Sequence, residues 1–440
     1  MPQNQLQHAH THDSLGIPAS SFSTPGVKTQ RNLHSCRFCG SGLKELVVDL
    51  GMQPLCESYV SEDQLNAMEP FYPLKAYVCS DCFLVQVLDF VSGEDIYSHY
   101  AYFSSYSDSW LRHTENYVDM AIERFGLDAK KQVIEIASND GYLLQYLVAK
   151  GIPALGIEPA ANVAEVAIDK GIPTVVRFFG VDTARGLVNE GKQADLLIGN
   201  NVLAHVPDLN DFVGGAKILL RDRGVISMEF PHLESMFTHN QFDTIYQEHY
   251  SYYSFLSVQR VFESHGLTIF DVEKIPTHGG SLRIFACHAG DASKTITEAV
   301  DGLLRRELDA GYGDMAIYRQ FGERVIETKR KLLDFLIQAK RGGKKIAGYG
   351  APGKGNTLLN YCGIRQDFID YTVDRNPFKH GKYLPGTRIP VFAPERIAET
   401  KPDYILLLPW NLKDELVKQL AYTREWGAKF IVPIPEVEVL

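Results

Sequence analysis

The sequence lacks the features that would assign it to several specialised classes of protein. No stretch reaches the roughly 18 to 20 apolar residues that a membrane span needs, so we expect no membrane partner. The 440 residues include 7 cysteines, too few for a disulfide scaffold. Residues 1–33 have neither the apolar core nor the basic lead of a signal peptide, and they predict a disordered tail. We expect a cytoplasmic protein.

Positive charge is also scarce. Lys and Arg total 44 against 54 Asp and Glu, a formal net charge of −10. This balance argues against a protein that coats nucleic acid, because phosphate binding needs basic surface. Apolar residues make up 45% and charged residues 22%, as in ordinary globular proteins. At roughly 150 residues per domain the length predicts about three domains, and we expect a monomer.

Four of the seven cysteines form two closely spaced pairs, Cys36-Arg-Phe-Cys39 and Cys79-Ser-Asp-Cys82. Each C-x-x-C presents two thiolates from one tight turn, and two such turns supply four sulfur ligands to a zinc ion. A redox C-x-x-C or coincidence is the alternative. Because four protein ligands leave no open coordination position, we expect the zinc to be structural.

Alternating strand and helix patterns begin near residue 110. Helical spacing covers 110–125, 142–149 and 163–170, and short buried strands are predicted at 132–137, 154–158, 174–176, 195–199 and 225–229. This alternation predicts a parallel sheet with helices on both faces.

Polar residues follow several of these strands, where a parallel α/β sheet binds its ligand. We expect cofactor contacts from Glu135, Ala137, Asn139, Asp140, Gly141, Glu158, Asn200 and Asn201. The acid Glu158 ends the second strand, where a carboxylate can accept both hydroxyls of a ribose. The first turn lacks G-x-G-x-x-G, so a ligand with ribose but no phosphate, S-adenosylmethionine, fits better than a dinucleotide. The alternative is an ordinary α/β domain with solvated strand ends.

Glutamate, histidine and four tyrosines crowd into Tyr246-Gln-Glu248-His249-Tyr250-Ser-Tyr252-Tyr253. Such a mixture suits a pocket in which a histidine takes a proton and hydroxyl groups hold an oxygen. A second aromatic run, 97–106, contains Tyr100, Tyr102 and Tyr106 and is expected to cover the same pocket. His205 follows the fourth strand and so lies on the ligand side. Each histidine alone is more often structural than catalytic.

A second nucleotide-binding pattern follows a long helix predicted at 315–341. Residues 345–356 run from a strand through a glycine loop, Gly348-Tyr-Gly350-Ala-Pro-Gly353-Lys354, into a helix, with Asp374 about 20 residues later. Read alone, this motif predicts a nicotinamide dinucleotide. Pro352 removes one N–H and Lys354 adds a cation, which suits a diphosphate of another kind. Strands at 368–373, 404–408 and 430–432 complete a smaller Rossmann-like sheet.

Four motifs in this order resemble the sugar C-methyltransferases, which act on nucleotide-linked 4-keto-deoxyhexoses. They are the double C-x-x-C, the turn Glu-Ile-x-Ser-Asn-Asp-Gly-Tyr-Leu-Leu, the run Tyr-Gln-Glu-His-x-x-Tyr-Tyr-Ser and the loop Gly-Tyr-Gly-Ala-Pro-x-Lys-Gly-Asn. The resemblance covers about residues 34 to 435. It implies an α/β protein with a zinc-binding module at 34–100, a central Rossmann-like S-adenosylmethionine methyltransferase domain at 101–290 and a C-terminal Rossmann-like domain at 291–440.

The resemblance also implies roles for particular residues. The family's catalytic histidine falls on His249, and its neighbours fall on Glu248, Tyr246, His205 and Tyr100. Ala137 stands where a glycine is common. The substrate contacts that we expect are Tyr102, Tyr106, Tyr253, Gly350, Lys354, Asn356 and Tyr383.

The implied chemistry is methylation of the carbon beside the ketone, C3, through an enolate. It requires one base, one site for the enolate oxygen and alignment of two ligands. An NAD-dependent enzyme acting on the same sugars and a non-enzymatic zinc-bearing scaffold are the competing hypotheses.

Overall fold

Three β-sheets organise the computed structural model, which describes residues 34–91, 93 and 103–440. The predicted tail 1–33 and the residues Tyr100 and Tyr102 lie outside the described residues. The strands are β1 (Glu45–Gln53), β2 (Tyr72–Val78), β3 (Val85–Val87), β4 (Val133–Ile136), β5 (Ala154–Ile157), β6 (Thr174–Val175), β7 (Ala194–Asn200), β8 (Leu220–Pro231), β9 (Ser251–Tyr252), β10 (Leu267–Ile275), β11 (Ser281–His288), β12 (Ile346–Tyr349), β13 (Thr372–Val373), β14 (Val391–Phe392), β15 (Tyr404–Leu407), β16 (Lys429–Val432) and β17 (Glu438–Val439).

Helices connect most of these strands. They are α1 (Asp108–Phe125), α2 (Leu144–Ala149), α3 (Ala161–Asp169), α4 (Val181–Asn189), α5 (Leu209–Leu219), α6 (Leu233–Thr238), α7 (Phe255–Ser264), α8 (Glu298–Asp309), α9 (Met315–Arg341), α10 (Gly353–Cys362), α11 (Arg396–Thr400) and α12 (Lys413–Gln419). None of the helices in the described ranges combines the length and apolar character that a membrane span needs.

The N-terminal sheet is antiparallel, with strand order β1-β2-β3-β9. In β2 the side chains of Leu74, Ala76 and Val78 are buried while their neighbours are half-exposed, the period-two pattern of a strand with one covered face. The fourth strand, β9, comes from the histidine and tyrosine run far along the chain. That run is therefore anchored in the sheet of the N-terminal module.

The central sheet has seven strands in the order β6-β5-β4-β7-β8-β11-β10. The pairs from β6 to β8 are parallel, which confirms the five predicted strands. β11 runs antiparallel to β8 and to β10, so the sheet is mixed rather than wholly parallel. The chain leaves β4 for β5 and β6 on one side and returns to β7 on the other. The carboxyl ends of β4, β5 and β7 therefore border a crevice in which such sheets bind ligands.

The C-terminal sheet has the order β14-β13-β12-β15-β16-β17 and is parallel except for β17. The predicted strand at 368–373 contracts to Thr372–Val373, because Phe368 and Ile369 close a turn on the Arg365 carbonyl. The long helix α9 is confirmed at Met315–Arg341. Its buried face joins a hydrophobic core that runs from β1–β3 into the C-terminal sheet.

Candidate active site and zinc centre

Four thiols meet near the start of the described chain. The Sγ atoms of Cys36, Cys39, Cys79 and Cys82 all lie within 4.8 Å of one another, with two pairs at 3.5 Å. A tetrahedral zinc with Zn–S bonds of about 2.3 Å separates its sulfurs by about 3.8 Å. The residues therefore fit zinc, and a complete set of four thiolates makes the ion structural.

The two cysteine pairs lie in closely similar turns. The amide of Gly40 donates to the Cys36 carbonyl, and the amide of Phe83 donates to the Cys79 carbonyl, each at 2.9 Å. Both donors are left-handed, with φ of 79° and 62°. Glycine adopts this conformation readily, whereas a bulky residue does so only where packing holds it. The Phe83 ring is held by stacking on Tyr318, with ring centroids 6.4 Å apart.

The turn after β4 brings the predicted cofactor residues to the sheet edge. Ala137, Asn139 and Gly141 have φ of 55°, 50° and 77°. A Cβ on Gly141 would lie 2.3 Å from Cδ1 of Ile172, which would have to move, and the left-handed backbone would strain any other residue at this position. The left-handed backbone at Ala137 explains why glycine is common at this position, since that conformation costs an L-residue roughly 1–2 kcal/mol.

The Glu158 carboxylate at the end of β5 holds this turn. One oxygen accepts the Asn139 N–H and the other accepts the Ala160 N–H, both at 2.9 Å. Burial raises the pKa of Glu158, and the two backbone hydrogen bonds oppose that shift. Each carboxylate oxygen retains a second lone pair, so this group can still accept a ribose diol. Glu135 lies deeper in β4, where burial raises the pKa of its carboxyl.

Polar atoms at this edge are buried without a protein partner. Within the described part of the chain, both amide atoms of Asn200, at the end of β7, lack a hydrogen bond, as do Oδ1 of Asp140 and Oγ of Ser138. Such atoms are uncommon in folded proteins, because an unmade hydrogen bond is costly. Their clustering beside Glu158 indicates a polar ligand, and the residues fit S-adenosylmethionine.

Residues 103–106 cover the cofactor turn. The amide of Ser104 donates to Oδ1 of Asn139 at 2.9 Å, and the amide of Ser105 donates to Oδ2 of Asp140 at 3.3 Å. The Phe103 ring stacks on Phe378 at 6.3 Å, which connects this segment to the C-terminal unit. The side chain of Tyr106, a predicted substrate contact, is 59% exposed.

His249 lies beside His205 and Tyr246. Its ring centroid is 4.6 Å from that of His205 and 4.0 Å from that of Tyr246. Nδ1 of His249 is 2.8 Å from the Thr244 carbonyl oxygen, which can only accept. The hydrogen therefore resides on Nδ1, and Nε2 carries the lone pair of a base.

The histidines are held neutral by their surroundings. Burial is the main cause that lowers the pKa of His249, and repulsion by His205 and Lys354 lowers it further. Burial likewise lowers the pKa of His205 to about 4, partly opposed by a hydrogen bond with the Glu248 backbone. Both imidazoles are therefore uncharged at neutral pH, as a proton acceptor requires.

Glu248 contacts the N-terminal module. The Cys56 thiol donates to Oε1 of Glu248 at 3.7 Å, and Glu248 is buried. Burial raises the pKa of Glu248 to about 8, with a smaller contribution from the charge of Glu57. The residue beside His249 is therefore joined to the N-terminal module.

Lys354 of the glycine loop lies near the histidines, since its charge helps to lower the pKa of both His249 and His278. Its ammonium lies 4.6 Å from the Trp410 ring centroid and donates to Oδ1 of Asn411. Burial lowers the pKa of Lys354 to about 8, opposed by the charge of Asp243. A buried cation whose charge is only weakly compensated by a nearby carboxylate is well suited to bind an anionic part of a substrate.

The N-terminal module covers the rest of the glycine loop. A Cβ on Gly353, the first residue of α10, would lie 3.0 Å from both Cys56 Sγ and Glu57 Oε1. Tyr59 and Lys379 both donate to the Ala351 carbonyl. In dinucleotide-binding folds the pyrophosphate approaches the helix at this point. The chain's own side chains fill that approach, which argues against the NAD hypothesis.

The remaining predicted substrate contacts have other partners. Asn356 is 1% exposed and donates to the Cys56 carbonyl at 2.6 Å, while Tyr383 pairs with Val60 through backbone hydrogen bonds of 3.0 and 2.8 Å. The Tyr253 hydroxyl donates to the Leu203 carbonyl at 3.1 Å, and its ring is buried. Gly350 has φ of 86° at the start of the loop. These placements favour structural roles for Asn356 and Tyr253.

Sequence reasoning missed His278 and Trp110. His278 has φ of 54°, its Nε2 is 3.1 Å from Nδ2 of Asn201, and its ring centroid is 5.2 Å from that of Trp110. Trp110 also stacks on Tyr142 at 6.0 Å. The sequence feature that could have drawn attention to His278 is the run Thr-His-Gly-Gly, which lies between two strands.

The fold and the edge residues together define an S-adenosylmethionine-dependent methyltransferase that carries a structural zinc. The chain matches three family descriptions: "Putative zinc binding domain" at 36–97, "Methyltransferase domain" at 110–272 and "C-methyltransferase C-terminal domain" at 276–435.

C-methyltransferase NovU of Streptomyces niveus is 35% identical over 410 residues, covering 93% of this chain and 97% of that protein. A ubiquinone biosynthesis O-methyltransferase of Bartonella tribocorum is 25% identical over 96 residues, covering 22% and 39%. The PH0226 protein of Pyrococcus horikoshii is a similar solved structure, with TM-score 0.36 and 16% identity, covering 42% of this chain and 94% of that one. The chain belongs to the C-methyltransferase family, and the resemblance seen in the sequence is confirmed.

Proposed function

We propose that this C-methyltransferase methylates C3, beside the ketone, of a nucleotide-diphosphate-linked 4-keto-deoxyhexose. The supporting observation is the tautomer of His249, whose Nδ1–H is held by the Thr244 carbonyl at 2.8 Å. His249 lies beside His205 and close enough to Lys354 for the ammonium to lower its pKa. The sugar and its nucleotide are inferred from the motifs and from this grouping of a base with a buried cation.

In this mechanism His249 Nε2 takes the proton from the carbon beside the ketone. The electron pair of that C–H bond passes into the carbonyl group and gives an enolate, whose carbon then forms the new C–C bond. S-adenosylmethionine, when bound, would supply the electrophilic methyl group: its S–CH3 bond would break as the C–C bond forms, leaving the electron pair on the sulfur of S-adenosylhomocysteine and the abstracted proton on His249. Because burial and neighbouring charges lower the pKa of His249, the base stays unprotonated down to below its ordinary value near 6.5. We expect kcat/KM to fall in the acidic range as His249 is protonated, and to fall again above about pH 8 as Lys354 loses its charge.

The enolate oxygen requires a hydrogen-bond donor. Tyr246, His205 and Tyr100 are the proposed donors, and the first two lie beside His249. Donors placed where charge develops stabilise the transition state without reorganisation. The single N–H of a neutral His205 already hydrogen-bonds the Glu248 backbone, which favours Tyr246 over His205 as the donor.

Lys354 is proposed to bind the substrate diphosphate. Its ammonium contacts the Trp410 ring and donates to Asn411, and the charge of Asp243 raises its pKa against the effect of burial. Lys354→Ala should raise the KM for the sugar nucleotide at least about tenfold, on the order of one charge-assisted bond, and leave cofactor affinity unchanged. Lys413→Ala, which removes an exposed cation on the adjacent helix, is the control.

The decisive experiment separates proton removal from methyl transfer. The His249→Asn variant should bind both ligands but lose turnover by about 100-fold or more, and it should also stop exchanging the substrate's acidic proton with deuterated water. His265→Asn is the matched control, because Nδ1 of His265 also bonds a backbone carbonyl, that of Val261 at 2.8 Å. If the His249 variant exchanges the proton at the wild-type rate yet fails to methylate, His249 is not the base.

Mass spectrometry of candidate 4-keto sugar nucleotides tests the substrate through the gain of one methyl group. A rise in melting temperature with NADH but not with S-adenosylmethionine would support the dehydrogenase hypothesis instead. The cytoplasmic location and the monomeric state stay predictions; light scattering tests the second.

A further inference from the structure

Arg37 extends from the first zinc-binding turn into the central unit. Its NH1 donates to the Pro207 carbonyl at 2.9 Å and its NH2 donates to the Val87 carbonyl at 2.6 Å. The guanidinium carbon lies 5.2 Å from the Tyr250 ring centroid. One side chain therefore contacts three segments that are distant in sequence.

Two of these three contacts lie beside the central histidines in the sequence. Pro207 is two residues beyond His205, and Tyr250 directly follows His249. The amide of Tyr250 also donates to the Ala204 carbonyl at 2.7 Å, which ties the two segments together. Arg37 therefore contacts both histidine segments, at the Pro207 carbonyl and at the Tyr250 ring.

The other end of Arg37 is fixed by the cysteine cluster. Its backbone N–H donates to Oε1 of Gln86 at 2.9 Å, and Nε2 of Gln86 donates to Cys36 Sγ at 3.2 Å. Gln86 lies in β3, and the amide of the next residue, Val87, donates to the Tyr250 carbonyl at 3.1 Å. A sulfur ligand, a strand and the histidine segment thus form one continuous hydrogen-bonded network.

We propose that Arg37 is a positioning residue. It connects the zinc-binding turn to the segments of His205 and His249 and so holds these two side chains in place. Small displacements of a base cost large factors in rate, because proton transfer needs close alignment of donor and acceptor. The catalytic part of this inference rests on the proposed role of His249. The mechanical part, that Arg37 orders both segments, does not.

The chain provides a matched control in the second zinc-binding turn. NH1 of Arg260, in α7, donates to the Asp81 carbonyl at 2.9 Å, and its guanidinium lies 5.2 Å from the Phe83 ring centroid. Arg260 thus makes the same kinds of contact as Arg37, a backbone carbonyl and an aromatic ring. It anchors the second turn to α7 instead of to the histidine segments.

The experiment compares Arg37→Ala, Arg37→Lys and Arg260→Ala for zinc content, for amide hydrogen exchange in peptides 202–208 and 246–252 without substrate, and for kinetics. We expect Arg37→Ala to keep zinc, to exchange about tenfold faster in both peptides and to lose about tenfold in kcat, with KM within about threefold. Arg37→Lys, which can reach one carbonyl, should give intermediate values. Arg260→Ala should match the wild type in both peptides and in kcat.

Wild-type exchange and kcat in Arg37→Ala would overturn the proposal. If that variant loses zinc or fails to fold, the Arg37→Lys variant provides the test. Wild-type hydrogen exchange and wild-type kcat in Arg37→Lys would then contradict the proposal. If wild-type protein removes no substrate proton while Arg37→Ala still loosens both peptides, the proposed reaction is wrong and the mechanical role of Arg37 stands.

Discussion

The indole N–H of Trp410 donates a 2.7 Å hydrogen bond to Oδ2 of Asp243. Asp243 is fully buried and precedes Thr244, the residue whose carbonyl holds Nδ1 of His249. Burial raises the pKa of Asp243 to about 6, and the charge of Lys354 and the Trp410 hydrogen bond oppose that rise. The C-terminal unit thus supports the segment that orients the proposed base.

Trp410→Phe should therefore impair catalysis. Loss of the donor raises the pKa of Asp243 further above its ordinary value, so its carboxylate is protonated up to a higher pH. We expect turnover to fall about tenfold, with the acidic limb of the pH–rate profile moved to higher pH. Trp426→Phe removes an indole that bonds the Pro402 carbonyl at 3.0 Å and is the control. An acidic limb that stays in place would contradict this account.

Glu158→Ala should weaken cofactor binding. The change removes the proposed ribose acceptor and releases the Asn139 and Ala160 amides. We expect a loss of about 2–4 kcal/mol, or roughly 30- to 1000-fold in Kd, by calorimetry. Glu165→Ala, on the exposed face of the following helix, should leave Kd unchanged. Equal affinities for the two variants would remove Glu158 from the cofactor site.

Cys79→Ser should release the zinc. Three thiolates and a hydroxyl hold the ion much more weakly than four thiolates, and metal binding is coupled to folding of small modules. Elemental analysis should find well under one zinc per chain, with a lowered melting temperature. Cys287→Ser alters a buried thiol outside the cluster and should keep the metal. An intact protein free of zinc before mutation would count against the site altogether.

Glu248→Gln should flatten the dependence of stability on pH. The folded protein holds the Glu248 proton up to about pH 8, whereas the unfolded chain releases it near 4.5. Stability contributed by this group is therefore complete below about 4.5 and is lost as pH rises toward 8, by at most about 1.4 kcal/mol per pH unit. Urea unfolding at several pH values should show this slope in wild type and in the exposed-site control Glu123→Gln, but not in Glu248→Gln.

Ala137→Gly should stabilise the cofactor turn. Relief of left-handed strain exceeds the added entropy of the unfolded glycine, for a net gain of up to about 1 kcal/mol. The melting temperature should rise by about 2 °C. Ala398→Gly, in an exposed helical position, should lower it. A fall in both variants would mean that the left-handed backbone at Ala137 is not strained.

Structural features that depend on residues close together in the sequence were predictable. The two cysteine pairs come together as expected, because each pair is formed by a local turn and the two turns need only leave room for one metal ion between them. The polar residues after β4, β5 and β7 meet because parallel strands align their carboxyl ends at one edge. The fold class is confirmed for the same reason, whereas the unit boundaries at residues 100 and 290 stay predictions.

Features that depend on distant packing were not predictable. The glycine loop reads as a dinucleotide site until Cys56 and Glu57 are placed against Gly353. Glu248 and His249 are adjacent in sequence, yet successive side chains diverge, and one faces Cys56 while the other faces His205. The antiparallel return of β11 reflects a hairpin with β10, and the sequence pattern predicted neither strand.

The strand β9 also constrains the order in which the chain can mature on the ribosome. The N-terminal sheet lacks its fourth strand until residues 251–252 have been synthesised, long after the cysteine pairs have emerged. The parallel part of the central sheet is therefore translated while the nascent zinc-binding module still has an unpaired edge along β3. A truncated messenger that ends before β9 should yield a product that chaperones retain and proteases degrade, even with zinc in excess.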